Sequence, residues 1–112
     1  MKATIWHNPR CSKSREVLEI LQKAPDVEVE VVEYLKKPPT RTELVLAYRG
    51  AGLQPRQGLR MAEAAAAPLA NHNNGAILDA MVANPRLIER PVVITEKGAR
   101  LCRPSEKVYE IL

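Results

Sequence analysis

The residue best equipped for chemistry in this sequence is Cys11, set in His7-Asn8-Pro9-Arg10-Cys11-Ser12-Lys13-Ser14-Arg15. The thiolate is the nucleophile, and a free cysteine, with a pKa near ~8.5, is mostly protonated at neutral pH. The surroundings favour ionisation. Arg10, Arg15 and His7 bring positive or hydrogen-bonding character, Ser12 and Ser14 bring hydroxyls, and an apolar helical repeat begins just after the cysteine. A helix N-terminus presents unpaired N–H groups and a partial positive charge. That dipole is worth at most ~2 kcal/mol, roughly 1.5 pK units, so the basic side chains have work left to do. A structural cysteine would sit among apolar residues. This one is flanked by Asn, Pro, Arg, Ser and Lys, and reads as an activated thiol.

The other thiol, Cys102, lies between Leu101 and Arg103 in an expected strand and reads as a core residue. Ser14 is expected to cap or hydrogen-bond the cysteine loop. His72, in Asn71-His72-Asn73-Asn74-Gly75, reads as exposed. The two cysteines lie far apart in sequence, as do the two histidines, with no close pair of either at zinc spacing, so no metal site is expected.

The elements that must position Cys11 follow from patterning. Ala3 to Trp6 is a short apolar run that predicts a buried strand, and Pro9 excludes a regular continuation. Val17, Ile20, Leu21 and Ala24 fall on one helix face, which Pro25 ends. Val27-Glu28-Val29-Glu30-Val31 alternates as a strand does. Thr40 and Glu43 match a capping box, opening a helix with Leu44, Val45 and Tyr48 as its apolar residues and Gly50 and Gly52 near its end. Residues 53 to 67 are helical in tendency, from near Pro55 through the alanine run Ala64 to Ala67. Ile77, Leu78, Met81 and Val82 predict one face of a short helix ending before Pro85. Val92-Val93-Ile94 and Ala99 to Cys102 around Glu96-Lys97-Gly98 predict a hairpin. Pro104 suits the first turn of a last helix, with Val108, Ile111 and Leu112 inward.

The expected fold class is α/β: a mixed sheet of about four strands, the first two parallel through a right-handed crossover, flanked by helices. At 112 residues this is one domain. The 46% hydrophobic and 27% charged content is that of a globular protein. No signal peptide or membrane span is visible behind MKATIWHN, so a cytoplasmic protein is expected. A charge of +4 invites a nucleic-acid partner, but the basic residues are scattered and the aromatics amount to one Trp and three Tyr. Phosphate backbones want a contiguous patch and single strands want stacking platforms. The basic excess suits a small anionic substrate instead.

Residues 7 to 15 resemble the active-site segment of the glutaredoxin-coupled bacterial arsenate reductases. Glu89-Arg90-Pro91-Val92-Val93 with Gly98-Ala99-Arg100-Leu101-Cys102-Arg103-Pro104-Ser105-Glu106 resembles their second signature. Tyr34-Leu35-Lys36-Lys37-Pro38-Pro39-Thr40-Arg41 and Gly58-Leu59-Arg60 lie between in the same order, so the likeness covers nearly the whole chain. It is weakest from Met61 to Gly75. The resemblance implies a thioredoxin-like domain over residues 1–112 with a helical insertion at about 53–84. It implies that Cys11 attacks arsenate to give a thiol–arsenate adduct, that glutathione is the co-substrate that resolves it, and that glutaredoxin reduces the mixed disulfide. No bound cofactor is implied. Arg60, Arg90 and Arg103 match the three oxyanion-binding arginines, with Arg56 one helical turn from Arg60 as the competing choice. Arginine suits this because its planar fork matches a tetrahedral oxyanion and keeps its charge. His7 is either a strand-end cap or, on the family reading, a tuning group for Cys11. Ser14 and Arg15 support the cysteine loop, and Pro91 matches the cis-proline that faces the active cysteine in thioredoxin-like folds.

Two rival readings follow from the same superfamily. One is a glutathione-dependent disulfide reductase. The other is a Spx-like regulator that binds RNA polymerase and senses oxidation through Cys-x-x-Cys; here the third residue after Cys11 is Ser14.

Overall fold

The computed structural model describes all residues from Met1 to Leu112. Strand β1 (Lys2–His7) leads into helix α1 (Ser12–Lys23), which returns to strand β2 (Glu28–Glu33). Helices α2 (Arg41–Ala51) and α3 (Asn74–Ala83) follow, then a hairpin of β3 (Val92–Thr95) and β4 (Gly98–Leu101), and a closing 3-10 helix over Ser105–Ile111. The sheet order is β2-β1-β3-β4, with β1 parallel to β2 and antiparallel to β3. This is the mixed four-stranded sheet, with its parallel crossover through α1, that the sequence pattern predicts.

The period of two along β1 divides its side chains between two apolar layers. Ala3 and Ile5 join Val17 and Leu21 of α1, Val93, Cys102, Val108 and Ile111 on one face. Trp6 joins Leu44 and Tyr48 of α2, Ile77 and Met81 of α3, and Val92 on the other. With both faces covered, β1 is fixed at the centre of the molecule, and its C-terminal end at His7 is a rigid place from which to launch the cysteine loop. β2 lies at the edge, and its Val31 is 45% exposed although the alternation places it with Val27 and Val29. An edge strand is covered less completely than a central one.

The Thr40 capping box forms as expected. Thr40 Oγ1 accepts from the Glu43 amide at 3.1 Å, and Glu43 Oε1 accepts from the Thr40 amide at 2.9 Å. Gly52 ends α2 in the left-handed region at φ 67°, which glycine reaches without a Cβ clash.

Three expectations need correction. Residues 53 to 67 do not form a helix: the segment holds a 3-10 turn over Pro55–Gly58, an extended strip at Leu59, and irregular turns through the alanines. Tertiary pairing overrides alanine propensity here. The Glu89 amide donates to the Gly58 carbonyl at 2.7 Å, and the Arg60 amide to the Leu87 carbonyl at 2.8 Å. A Cβ on Gly58 would stand 2.5 Å from the ring of Tyr48, so the strip crosses the α2 aromatic at backbone distance. Val82 does not share the buried face of α3; it is 40% exposed, while Ile77, Leu78 and Met81 are buried. The last element is a 3-10 helix rather than an α-helix, and Pro104 stands at its N-cap instead of in its first turn; Val108 and Ile111 are buried as expected.

Candidate active site

The end of β1 and the start of α1 are joined by a loop tied almost wholly to itself. The Asn8 carbonyl accepts from the Cys11 amide at 3.0 Å, and Asn8 Oδ1 accepts from the Arg10 amide at 3.0 Å. Such short side-chain loops are what Asn does well at turns. The Arg15 guanidinium donates to the Pro9 carbonyl at 2.8 Å, so Arg15 braces the loop from outside. Ser14, fully buried, accepts the Asn8 amide at 3.0 Å and pairs with Nδ1 of His7 at 2.6 Å. His7 reaches the cysteine only through Ser14. Burial lowers the His7 pKa, with Glu33 opposing and Arg15 adding to the effect.

Cys11 is the N-cap residue of α1, with extended φ −94° and ψ 122°. At that position a Ser or Asp oxygen would accept the N–H of the second or third helical residue. The sulfur closes no full cap bond, yet it lies under the same amides. Burial raises the Cys11 pKa, but the Ser14 amide, the charge of Arg90, the Lys13 amide and the Arg103 guanidinium outweigh it, and the net shift is downward. Two basic side chains from a distant part of the chain thus do what the helix dipole alone would leave incomplete.

Those side chains come from the two ends of the hairpin. Arg90 precedes Pro91 at the start of β3, and the Arg90–Pro91 bond is cis, as the sequence resemblance implies. Arg103 follows β4; its Nη1 lies 4.0 Å from the Cys11 sulfur and donates to the Arg90 carbonyl at 3.0 Å. The Arg103–Pro104 bond is also cis. Arg90 is nearly buried, and its Nε has no hydrogen-bond partner. Arg60 arrives on the Gly58–Arg60 strip and lines a cleft of ≈570 Å³ shared with Arg90, Asn8 and Tyr34. Arg56 is exposed and lines no part of it, so of the two alternatives Arg60 is the one facing the cleft. Cys11 lies at the cleft margin, next to Asn8–Arg10, rather than in its wall. A larger groove of ≈790 Å³ between α1 and the C-terminal turn does not include Cys11 or any of these arginines.

Three residues of this region carry no assigned role in the sequence reading. Tyr34 is 1% exposed; burial raises its phenol pKa, against Arg90, the Asn8 side chain and Arg60. Glu63 pairs with Arg60 at 3.3 Å. Glu89 Oε1 lies 3.2 Å from Arg90 Nη1 and 3.8 Å from Arg103 Nη1. Tyr34 and Glu89 stand inside the segments that carry the resemblance; Glu63 stands in the stretch where it is weakest. Cys102 is fully buried, and burial pushes its thiol up to about 12. No cluster of three or more His, Cys, Asp or Glu side chains is placed to hold a metal ion.

A nucleophilic sulfur held under helix amides, with guanidinium groups converging from the hairpin ends, is suited to attack on an anion. The family model described as the ArsC family matches residues 6–111. The chain belongs to the ArsC family. An arsenate reductase of Rhizobium meliloti (strain 1021) is 45% identical over 100% of this chain and 82% of its own. That of Escherichia coli (strain K12) is 41% identical over 97% of this chain and 79% of its own. A solved structure described as arsenate reductase from Vibrio cholerae superposes with a TM-score of 0.91 at 38% identity, covering 100% of this chain and 98% of that one. The mixed four-stranded sheet flanked by helices is therefore that of the thioredoxin-like ArsC fold. No helix is long and apolar enough to cross a membrane.

Proposed function

We propose that this ArsC-family chain reduces arsenate to arsenite through Cys11, with Arg60, Arg90 and Arg103 holding the oxyanion. The observation that carries the reading is Arg103 Nη1 at 4.0 Å from the Cys11 sulfur, with Arg90 close enough to depress the same thiol. Thiolate and oxyanion repel each other at close range. Fixed guanidinium groups offset that repulsion and stabilise charge on the oxygens as the sulfur–arsenic bond forms.

In the first step the Cys11 sulfur attacks arsenic(V) to form a sulfur–arsenic bond, and one arsenic–hydroxyl bond breaks, the hydroxyl taking up a proton and leaving as water. In the second, a glutathione thiolate attacks the Cys11 sulfur. A sulfur–sulfur bond forms, and the sulfur–arsenic electron pair passes to arsenic, which leaves as arsenite. Glutaredoxin then reduces the Cys11–glutathione disulfide and restores the thiol. The absence of a second cysteine three residues after Cys11 supports an external resolving thiol, since Ser14 cannot form a disulfide. Two unpaired cysteines suit a reducing compartment, and we place the protein in the cytoplasm on that ground. We also read residues 53–84 as an insertion in the thioredoxin-like frame, because they fall between the parallel crossover and the hairpin.

The test is arsenite production from arsenate with glutathione and glutaredoxin, run beside reduction of a low-molecular-weight disulfide. Arsenite formed only when all three components are present supports the proposal. Disulfide reduction without arsenite formation would move the disulfide-reductase reading ahead.

A further inference from the structure

The two arginines nearest the nucleophile share one carboxylate oxygen. Glu89 Oε1 accepts from Arg90 Nη1 at 3.2 Å and from the Arg90 amide at 3.3 Å, and it lies 3.8 Å from Arg103 Nη1. That same Arg103 nitrogen is 4.0 Å from the Cys11 sulfur. The Glu89 side chain is mostly covered, 22% exposed, and Arg90 is 11% exposed. Any oxyanion bound by Arg90 and Arg103 therefore comes to rest beside a carboxylate that water screens poorly.

We propose that Glu89 is a specificity-determining residue, which admits oxyanions still carrying a proton and rejects those that carry none. This rests on the oxyanion reading of the site. Arsenate, like inorganic phosphate, keeps a proton on one oxygen near neutral pH, and that hydroxyl can donate to Glu89 Oε1. Sulfate has the same tetrahedral shape and a double charge but no proton to offer. It meets Glu89 as one negative group facing another. Sites that discriminate well build in a repulsive element against the competitor as well as an attractive one for the substrate. A site with a buried acceptor also rejects an analogue that lacks the matching hydroxyl far more strongly than an apolar pocket can. The arginines alone have no means of making this distinction, because each donates equally well to any oxyanion oxygen.

The experiment compares sulfate and inorganic phosphate as competitors of arsenate in the wild type, in Glu89→Gln and in Glu19→Gln. Glu19 pairs with Lys23 on the exposed face of α1, so its variant makes the same change in net charge away from the site. The quantity read is the ratio of the sulfate to the phosphate inhibition constant. Glu89→Gln keeps the shape and an acceptor oxygen but removes the charge. It should lower the ratio by about ten-fold or more, the effect of losing one charged contact, while Glu19→Gln leaves it unchanged. Thermal melting with each anion gives the same comparison without turnover. A ratio that stays within about two-fold, or that moves equally in Glu19→Gln, overturns the proposal while leaving the oxyanion site standing. If neither anion competes with arsenate or raises the melting temperature of the wild type, the oxyanion reading fails, and this one with it.

Discussion

The two cysteines make an instructive pair, because both are buried and each has an arginine within reach, yet their environments push them in opposite directions. Cys102 is sealed in the layer between the sheet and α1, where it meets Ile5, Val17, Val93 and Ile111, and its thiol is pushed up to about 12. Its only polar contact is with the Arg100 carbonyl at 3.6 Å, an acceptor that favours the protonated form. Cys11 is nearly as well covered, at 8% exposure, but its pKa falls. What differs is the direction of the surrounding dipoles and charge: the amides of Lys13 and Ser14 and the Arg103 guanidinium present hydrogens to the sulfur, and the positive charge of Arg90 adds to them. Burial without donors silences a thiol, and burial with donors activates it.

The strongest way to test that contrast is to remove each sulfur in turn. Cys11→Ser should abolish arsenate reduction, because serine keeps the geometry without an ionisable nucleophile at neutral pH. Steady-state arsenite production measures it, and residual activity near wild type would refute the assignment of Cys11. Next in size come the donors. Arg90→Ala and Arg103→Ala each remove a charge-assisted contact worth ~1.5–3 kcal/mol, so kcat/KM for arsenate should fall about ten- to two-hundred-fold. Lysine at either position should recover only part of the loss, since it keeps the charge and loses the fork. If both alanine variants keep wild-type kinetics, the hairpin ends do not hold the substrate.

Ser14→Ala should have a smaller effect on rate than on stability. It strands the Asn8 amide and the His7 ring, both buried, at a cost of roughly 1–3 kcal/mol. The Ser14 amide that faces the sulfur survives the substitution. Thermal melting beside kcat/KM separates the two effects, and a rate loss as large as that of Arg103→Ala would mean the hydroxyl acts directly on the thiol.

Much of this is legible in the local sequence. The strand before Cys11, the Thr40 capping box and the Glu96-Lys97 hairpin are local signals, written in residues close together in the chain. The strip at Gly58–Arg60 was not legible from patterning, because its conformation is set by residues 87–89 and by the Tyr48 ring, far away in sequence. The alanine run next to it pointed toward helix for the same reason: propensity knows nothing of a distant partner. The carboxylates partnering the arginines were hidden too. Glu63 and Glu89 look like ordinary surface charges until the fold sets them against Arg60, Arg90 and Arg103.

The smallest expected effect belongs to the silent thiol. Cys102→Ala should leave arsenate kinetics unchanged and cost about 1 kcal/mol of stability through the lost packing. It should also soften the alkaline limb of the stability curve. A thiol whose pKa is raised on folding contributes stability that is complete below the unfolded pKa, ~8.5. That contribution is lost as pH rises through the folded value of about 12. Denaturant midpoints measured from neutral to alkaline pH should therefore fall less steeply in the variant, with the raised phenols of Tyr34 and Tyr48 contributing to the slope that remains.

The most direct test of the central claim is alkylation of the native protein by iodoacetamide across a pH series, with the Cys11 and Cys102 peptides quantified separately by mass spectrometry. Cys11 should react first, with a titration midpoint below the ~8.5 of a free cysteine, while Cys102 stays unlabelled until the protein unfolds. A Cys11 midpoint at or above that of free cysteine, or equal labelling of the two sulfurs in the folded state, would contradict the account.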